Sequence, residues 1–137
     1  MKILKSILAL TLVLGGLFTV NFSCKKDTTT LKTLDGKFVG HSNLPNDNTD
    51  YYLSFVFASN HTFEVHDDQN QPNLVTGTGT WALNGSTLTG EFSYTANSNT
   101  VYSYTATFDT KTGLISAGTW GFSPNTSGLA TWTMTKQ

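Results

Sequence analysis

The chain has 137 residues, a formal net charge of −1, eight basic residues that are all lysine, and a single cysteine. That length suits one domain once a leader is removed. The lack of arginine and of any basic stripe argues against a nucleic-acid partner, and one cysteine rules out an internal disulfide.

Residues 1–23 read as a signal peptide. Lys2 and Lys5 make a positive start, and residues 7–18 are almost unbroken apolar, interrupted by Thr11 and Gly15-Gly16. Such a run, expected as a helix, is short of the roughly 20 residues that span a bilayer and has the length of a secretory signal's apolar core. Asn21-Phe22-Ser23-Cys24 follows. This stretch resembles a lipobox, the site cut by the bacterial lipoprotein signal peptidase. Small Ser23 fits the position before the cysteine, whereas Asn21 stands where the family prefers an aliphatic residue. The resemblance implies cleavage before Cys24, acylation of its thiol with chains of the palmitate kind, and a mature protein held on the outer membrane of the cell envelope, on its periplasmic or its outward side. Acylation would remove a lone thiol that is a liability in an oxidising compartment, and anchoring through more than one chain is stable.

Residues 24–33 are polar and without periodicity, and read as the lipidated tether. Residues 34–137 then alternate between β-rich runs and turn signals. Eight strands are predicted, over 34–42, 50–58, 61–66, 74–83, 86–95, 100–109, 114–122 and 128–136. Asn84-Gly85 is expected to close a two-residue hairpin with both residues at positive φ. Alternation puts Leu53, Phe55 and Phe57 on one face, likewise Leu88, Gly90, Phe92 and Tyr94, and likewise Tyr102, Tyr104, Ala106 and Phe108. The opposite faces carry much Thr and Ser. One apolar face per sheet, with no helix to cover it, predicts an all-β domain that covers itself, as an eight-stranded antiparallel up-and-down barrel or, alternatively, a β-sandwich.

The three tryptophans share a local pattern, in Gly79-Thr80-Trp81, Gly118-Thr119-Trp120 and Ala130-Thr131-Trp132. Their spacing is unequal, so this is a repeated packing solution and no repeat array. Leu34-Asp35-Gly36-Lys37-Phe38 resembles the Gly-x-Trp opening of the calycin group, the lipocalin-like and avidin-like barrels, with Phe38 in the Trp place. Trp120 and Trp132 are similar to the late-strand tryptophans of avidin-like proteins. The resemblance implies the barrel shape and carries over no ligand.

Candidate chemistry is sparse. Glu64 and His66 share a strand face, with Asp67 and Asp68 nearby, but alternating His and Glu on a polar face is ordinary surface, and no metal or other cofactor is expected. His41 stands alone, no nucleophile elbow is present, and nothing sets Glu64 and Glu91 at a glycosidase separation. No enzyme is expected. The aromatic set is the stronger candidate. Phe55, Phe57, Trp81, Phe92, Tyr94, Tyr102, Tyr104, Phe108, Trp120 and Trp132 are expected to line one interior. They would either hold a small hydrophobic or aromatic ligand, with tyrosine hydroxyls as its polar contacts, or simply fill a small barrel. A filled barrel would turn the reading toward a protein or glycan partner, met through exposed aromatics such as Tyr51, Tyr52 or Phe122.

Overall fold

A computed structural model describes residues 30–137; the predicted signal peptide, Cys24 and most of the predicted tether lie outside the described residues. The described chain forms eight strands: β1 (Gly36–Asn43), β2 (Tyr51–Phe57), β3 (Thr62–His66), β4 (Gly77–Asn84), β5 (Thr87–Tyr94), β6 (Asn97–Asp109), β7 (Leu114–Phe122) and β8 (Ala130–Lys136). Each pairs antiparallel with the next, and β8 returns to β1, which closes an up-and-down barrel. The sandwich alternative is thereby set aside. Closure removes every free strand edge, and β1 is held on both sides, with Gly40 opposite Leu53 of β2 and Met134 of β8.

The inward faces are those the alternation predicts. Phe38, Leu53, Phe55, Phe57, Phe63, Val65, Leu88, Phe92, Tyr104, Phe108, Ile115 and Met134 are buried to 2 % exposure or less. Phe55 lies centrally. Its ring centroid is 4.8 Å from Phe63, 5.4 Å from Trp132, 5.8 Å from Phe57 and 6.4 Å from both Phe92 and Tyr104. These tilted and edge-on pairings are the arrangements aromatic quadrupoles favour. Tyr104 reaches over β5 to donate its hydroxyl to the Thr80 carbonyl of β4 at 3.3 Å. It can do so because Gly90 presents no side chain, and a Cβ there would stand 2.7 Å from that hydroxyl.

Strands β1, β4 and β8 start two or three residues later than predicted, and three further local features depart from the sequence reading. The β4–β5 turn is Gly85-Ser86, flanked by the Asn84–Thr87 pair, and only Gly85 has positive φ, at 61°. This is the pattern of a type II′ turn, so Asn84 remains in its strand. Strand β6 starts at Asn97 and leaves Thr95-Ala96 as the β5–β6 turn. Strand β7 carries a bulge at Ala117, whose φ is 50°, and its register shifts against both neighbours there. The extra residue swaps the alternation, which is why Ile115 and Trp120, of opposite parity, both face inward.

The up-and-down order gives the barrel two distinct ends. The described residues of the predicted tether dock at one. The Lys32 amide donates to the Thr110 carbonyl at 2.6 Å, and Lys136 Nζ donates to the Thr33 carbonyl at 2.7 Å. The β2–β3, β4–β5 and β6–β7 turns share this tether end. The longer β1–β2, β3–β4 and β7–β8 connections gather at the other, the loop end, together with the β5–β6 turn. Among the described residues no helix is long and apolar enough to cross a membrane.

Candidate functional site

The ten aromatics singled out from sequence form one continuous cluster, but in different roles. Phe55, Phe57, Phe92, Tyr104 and Phe108 are at most 2 % exposed and are packed ring on ring. Trp120 and Trp132, at 7 % and 3 %, cap that core toward the loop end. Trp81 covers it toward the tether end, where its indole N–H donates to the Ala58 carbonyl at 3.1 Å and its ring lies 4.5 Å from His61. Tyr94 and Tyr102 are partly buried against the core, and Tyr102 stacks on Phe92 at 5.1 Å and on Phe122 at 5.6 Å.

The loop end holds a pocket of about 200 Å³, lined by Ser42, Leu44, Tyr51, Tyr52, Leu53, Asp67, Tyr94 and Trp120. Its floor is the end of the core: Leu53 and Trp120 belong to the buried cluster, and Ser42 is 6 % exposed. Its walls come from the β1–β2 and β3–β4 connections and the last turn of β5. The first of these is stapled by Asp47, whose carboxylate accepts the Thr49 amide at 2.9 Å and the Tyr51 hydroxyl at 2.7 Å. Those bonds, with Thr49 and then Tyr51, hold the Asp47 carboxyl below its usual range, and the same contact with Asp47 pushes the Tyr51 hydroxyl up. On the opposite wall, burial first and then the Asp67 and Tyr102 neighbours raise the Tyr94 hydroxyl well above the usual tyrosine range. Tyr94 and Asp67 line the same pocket.

Aromatic walls with a few converging polar groups are the ordinary make-up of a small-molecule site. Two other depressions have fewer aromatic groups, Trp132 alone in the first and none in the second. One, of about 370 Å³, lies on the outer wall over the β7 bulge, between Asn43, Ala117–Thr119 and Thr131–Thr133. The other, of about 460 Å³, is the junction of the chain's own residues 30–33 with Thr112, Lys136 and Gln137. Of the sequence-derived set, the loop-end pocket takes Tyr94 and Trp120. It adds Ser42, Leu44, Tyr51, Tyr52, Leu53 and Asp67, which come from the β1–β2–β3 meander and its connections, and barrel closure brings Tyr94 and Trp120 to them.

The Glu64–His66 pair does meet, with Oε2 3.5 Å from Nε2. Among the described residues no group of three His, Cys, Asp or Glu is placed to hold a metal ion. Ser54 is the cross-strand partner of His66, and both are buried, at 0 % and 4 %. The Ser54 hydroxyl and both His66 ring nitrogens have no hydrogen-bond partner among the described residues. The geometry lacks a Ser–His hydrogen bond and an open path to the hydroxyl, both of which a nucleophile needs.

Exposed large apolar side chains are unevenly distributed. Among the described residues, Leu44, Tyr51, Leu74, Val75, Val101 and Phe122, between 37 % and 55 % exposed, all sit at the loop end, and only Leu31 is at the tether end. Comparisons with protein families, with curated proteins and with solved structures find no match.

Proposed function

We propose that this chain is a lipid-anchored lipoprotein of the bacterial envelope whose barrel binds a small, partly aromatic molecule at its loop end. The observation that carries the binding reading is the loop-end pocket, where Trp120, Tyr94, Tyr51 and Tyr52 meet the Ser42 hydroxyl and the Asp67 carboxylate. The aromatic core behind it supplies a rigid floor and leaves the ligand at the rim. The anchor reading rests on the lipobox resemblance at Ser23-Cys24. It agrees in direction with the fold, since residues 30–33 dock at the end opposite the pocket. From Cys24 to Lys32 is eight peptide steps, at most about 29 Å when extended. The tether end would then stay near the bilayer, with the pocket turned away from it.

The test is native mass spectrometry of the full-length protein, gently extracted from its own host's envelope in a non-ionic detergent. The expected result is a stoichiometric small-molecule adduct, lost on denaturation and absent from Trp120→Ala material that is still folded. A bare protein mass under mild conditions would count against the binding reading. It would favour a second one, contact with a protein or glycan partner. The observation on that side is the gathering of Leu44, Tyr51, Leu74, Val75, Val101 and Phe122 at the loop end, since a concentrated apolar patch marks an interaction surface more than scattered residues do.

A further inference from the structure

The barrel is sorted by charge along its axis. Lys32, Lys37, Lys111 and Lys136 are all the described lysines, and every one is at the tether end, in the docked segment, the start of β1, the β6–β7 turn and the end of β8. The β1–β2 and β3–β4 connections at the loop end carry Asp47 and Asp50, and Asp67 and Asp68, without one basic residue. Lysine at the tether end is partly offset by Asp35 and Asp109; the loop end has no such offset among its connections. The pocket lies at this acidic end, and of the four carboxylates Asp67 is part of its wall.

From this we infer that the molecule held in the loop-end pocket is a small organic cation, an aromatic or alkyl amine or quaternary ammonium, seated against Trp120 and the tyrosines with its charge toward Asp67. This rests on the binding reading above and narrows it to a charge class. Three features support it. The faces of tryptophan and tyrosine attract cations within about 6 Å of the ring. A partly enclosed cleft lined by one sign of charge focuses the field and concentrates ions of the other sign. An anionic ligand would meet the Asp67 carboxylate in the pocket wall, with Asp47, Asp50 and Asp68 in the surrounding connections and no lysine or arginine at this end. The Tyr94 hydroxyl, beside Asp67, and the buried Ser42 hydroxyl are left to fix orientation through neutral hydrogen bonds.

The experiment is heteronuclear NMR on the full-length protein in non-ionic micelles, titrated separately with benzyltrimethylammonium, benzyl alcohol and benzoate. These three probes share one ring and differ in charge. The inference expects saturable shifts at the Trp120 indole and the Asp67 amide, tightest for the cation and weakest for benzoate, with the cation's advantage shrinking at high salt. Asp67→Asn should weaken the cation about fivefold and leave benzyl alcohol unchanged, whereas Asp35→Asn at the other end should change neither. Equal affinity for cation and alcohol, or a preference for benzoate, would overturn the charge assignment while leaving the pocket standing. If no probe moves the loop-end resonances, the binding reading fails with it.

Discussion

Phe55→Ala is the sharpest test of whether the barrel is filled. Phe55 is 0 % exposed and has five aromatic neighbours with ring centroids within 6.4 Å. Truncating a buried phenylalanine to alanine costs about 3–5 kcal/mol, as lost transfer free energy plus the cavity left behind. The rings around Phe55 are themselves locked by Phe38, Trp81 and Trp120, so they can collapse only slightly into the gap. That places the expected loss well inside the range, at about 4 kcal/mol. A domain of this size has about 5–15 kcal/mol in total. Each kcal/mol moves its melting temperature by about 4–8 °C, so a fall of about 16–32 °C is expected. Urea unfolding followed by tryptophan fluorescence would read the loss as a lower midpoint at an unchanged slope. A loss below about 1 kcal/mol would refute the reasoning, because it would mean that Phe55 faces empty or solvent-filled space and that the barrel is hollow.

Other predictions test separate parts of the account. Cys24→Ala should accumulate as an unlipidated precursor, and metabolic labelling with a fatty acid that still marks this variant would remove the anchor reading. Ser54→Ala should stabilise the domain by about 0.5–1 kcal/mol, since it removes a buried hydroxyl with no partner; calorimetry showing a clear loss would reveal a partner for that hydroxyl. In an alkaline ultraviolet titration of the five tyrosines, Tyr94 and Tyr104 should ionise last, both chiefly because burial disfavours the phenolate. Their folded-state values lie above the unfolded one, so the stability they contribute is complete below about pH 10 and is lost as the pH climbs beyond it. If all five titrate together in the folded protein, the burial is wrong. Asp47 works in the opposite direction. Its carboxyl is lowered by Thr49 and Tyr51, so the staple on the β1–β2 connection is intact above the ordinary aspartate range and lost as the pH falls through its lowered value. The protection of the Thr49 amide, taken as its exchange rate against the intrinsic rate at each pH, should fall in acid ahead of global unfolding.

The strand count, the up-and-down order and most of the inward faces were legible in the sequence because they depend on a local period of two. Strand β7 needed no boundary correction and Trp120 faces inward as expected, but the bulge within the strand was not read. A period of two cannot bury both Ile115 and Trp120, and the discrepancy was the one available sign of the bulge at Ala117. The Asn84-Gly85 hairpin was located correctly and phased one residue early, because a Gly at the first turn position satisfies a type II′ turn as well as Asn-Gly satisfies its alternative. The site was less legible. Tyr94 and Trp120 stood out as aromatics, but they meet Ser42, Leu53 and Asp67 of the β1–β2–β3 meander only when the barrel closes. The charge sorting was present in the sequence all along. Asp47, Asp50, Asp67 and Asp68 fall in the first and third connections, which an up-and-down barrel must place at the same end.

Placing the candidate site at the rim follows from the size of the domain. An eight-stranded barrel has an interior just wide enough for side chains to fill it or for one small ligand to replace some of them. A chain this short stabilises itself narrowly by burial, and removing even one ring such as Phe55 from the interior would cost a large share of its total stability. Here the interior is given to packing, and variable chemistry is left to the connections, where substitutions cost little. The two tasks should therefore separate under mutation. Phe55→Leu should lower stability by about 1–2 kcal/mol and leave probe binding at the loop end unchanged. Asp67→Asn should do the reverse. Trp120 joins the buried cluster to the pocket wall, so it is the position where both properties must change together. A Trp120→Ala variant that lost only one of them would show that the floor of the pocket and the top of the core are not the same surface.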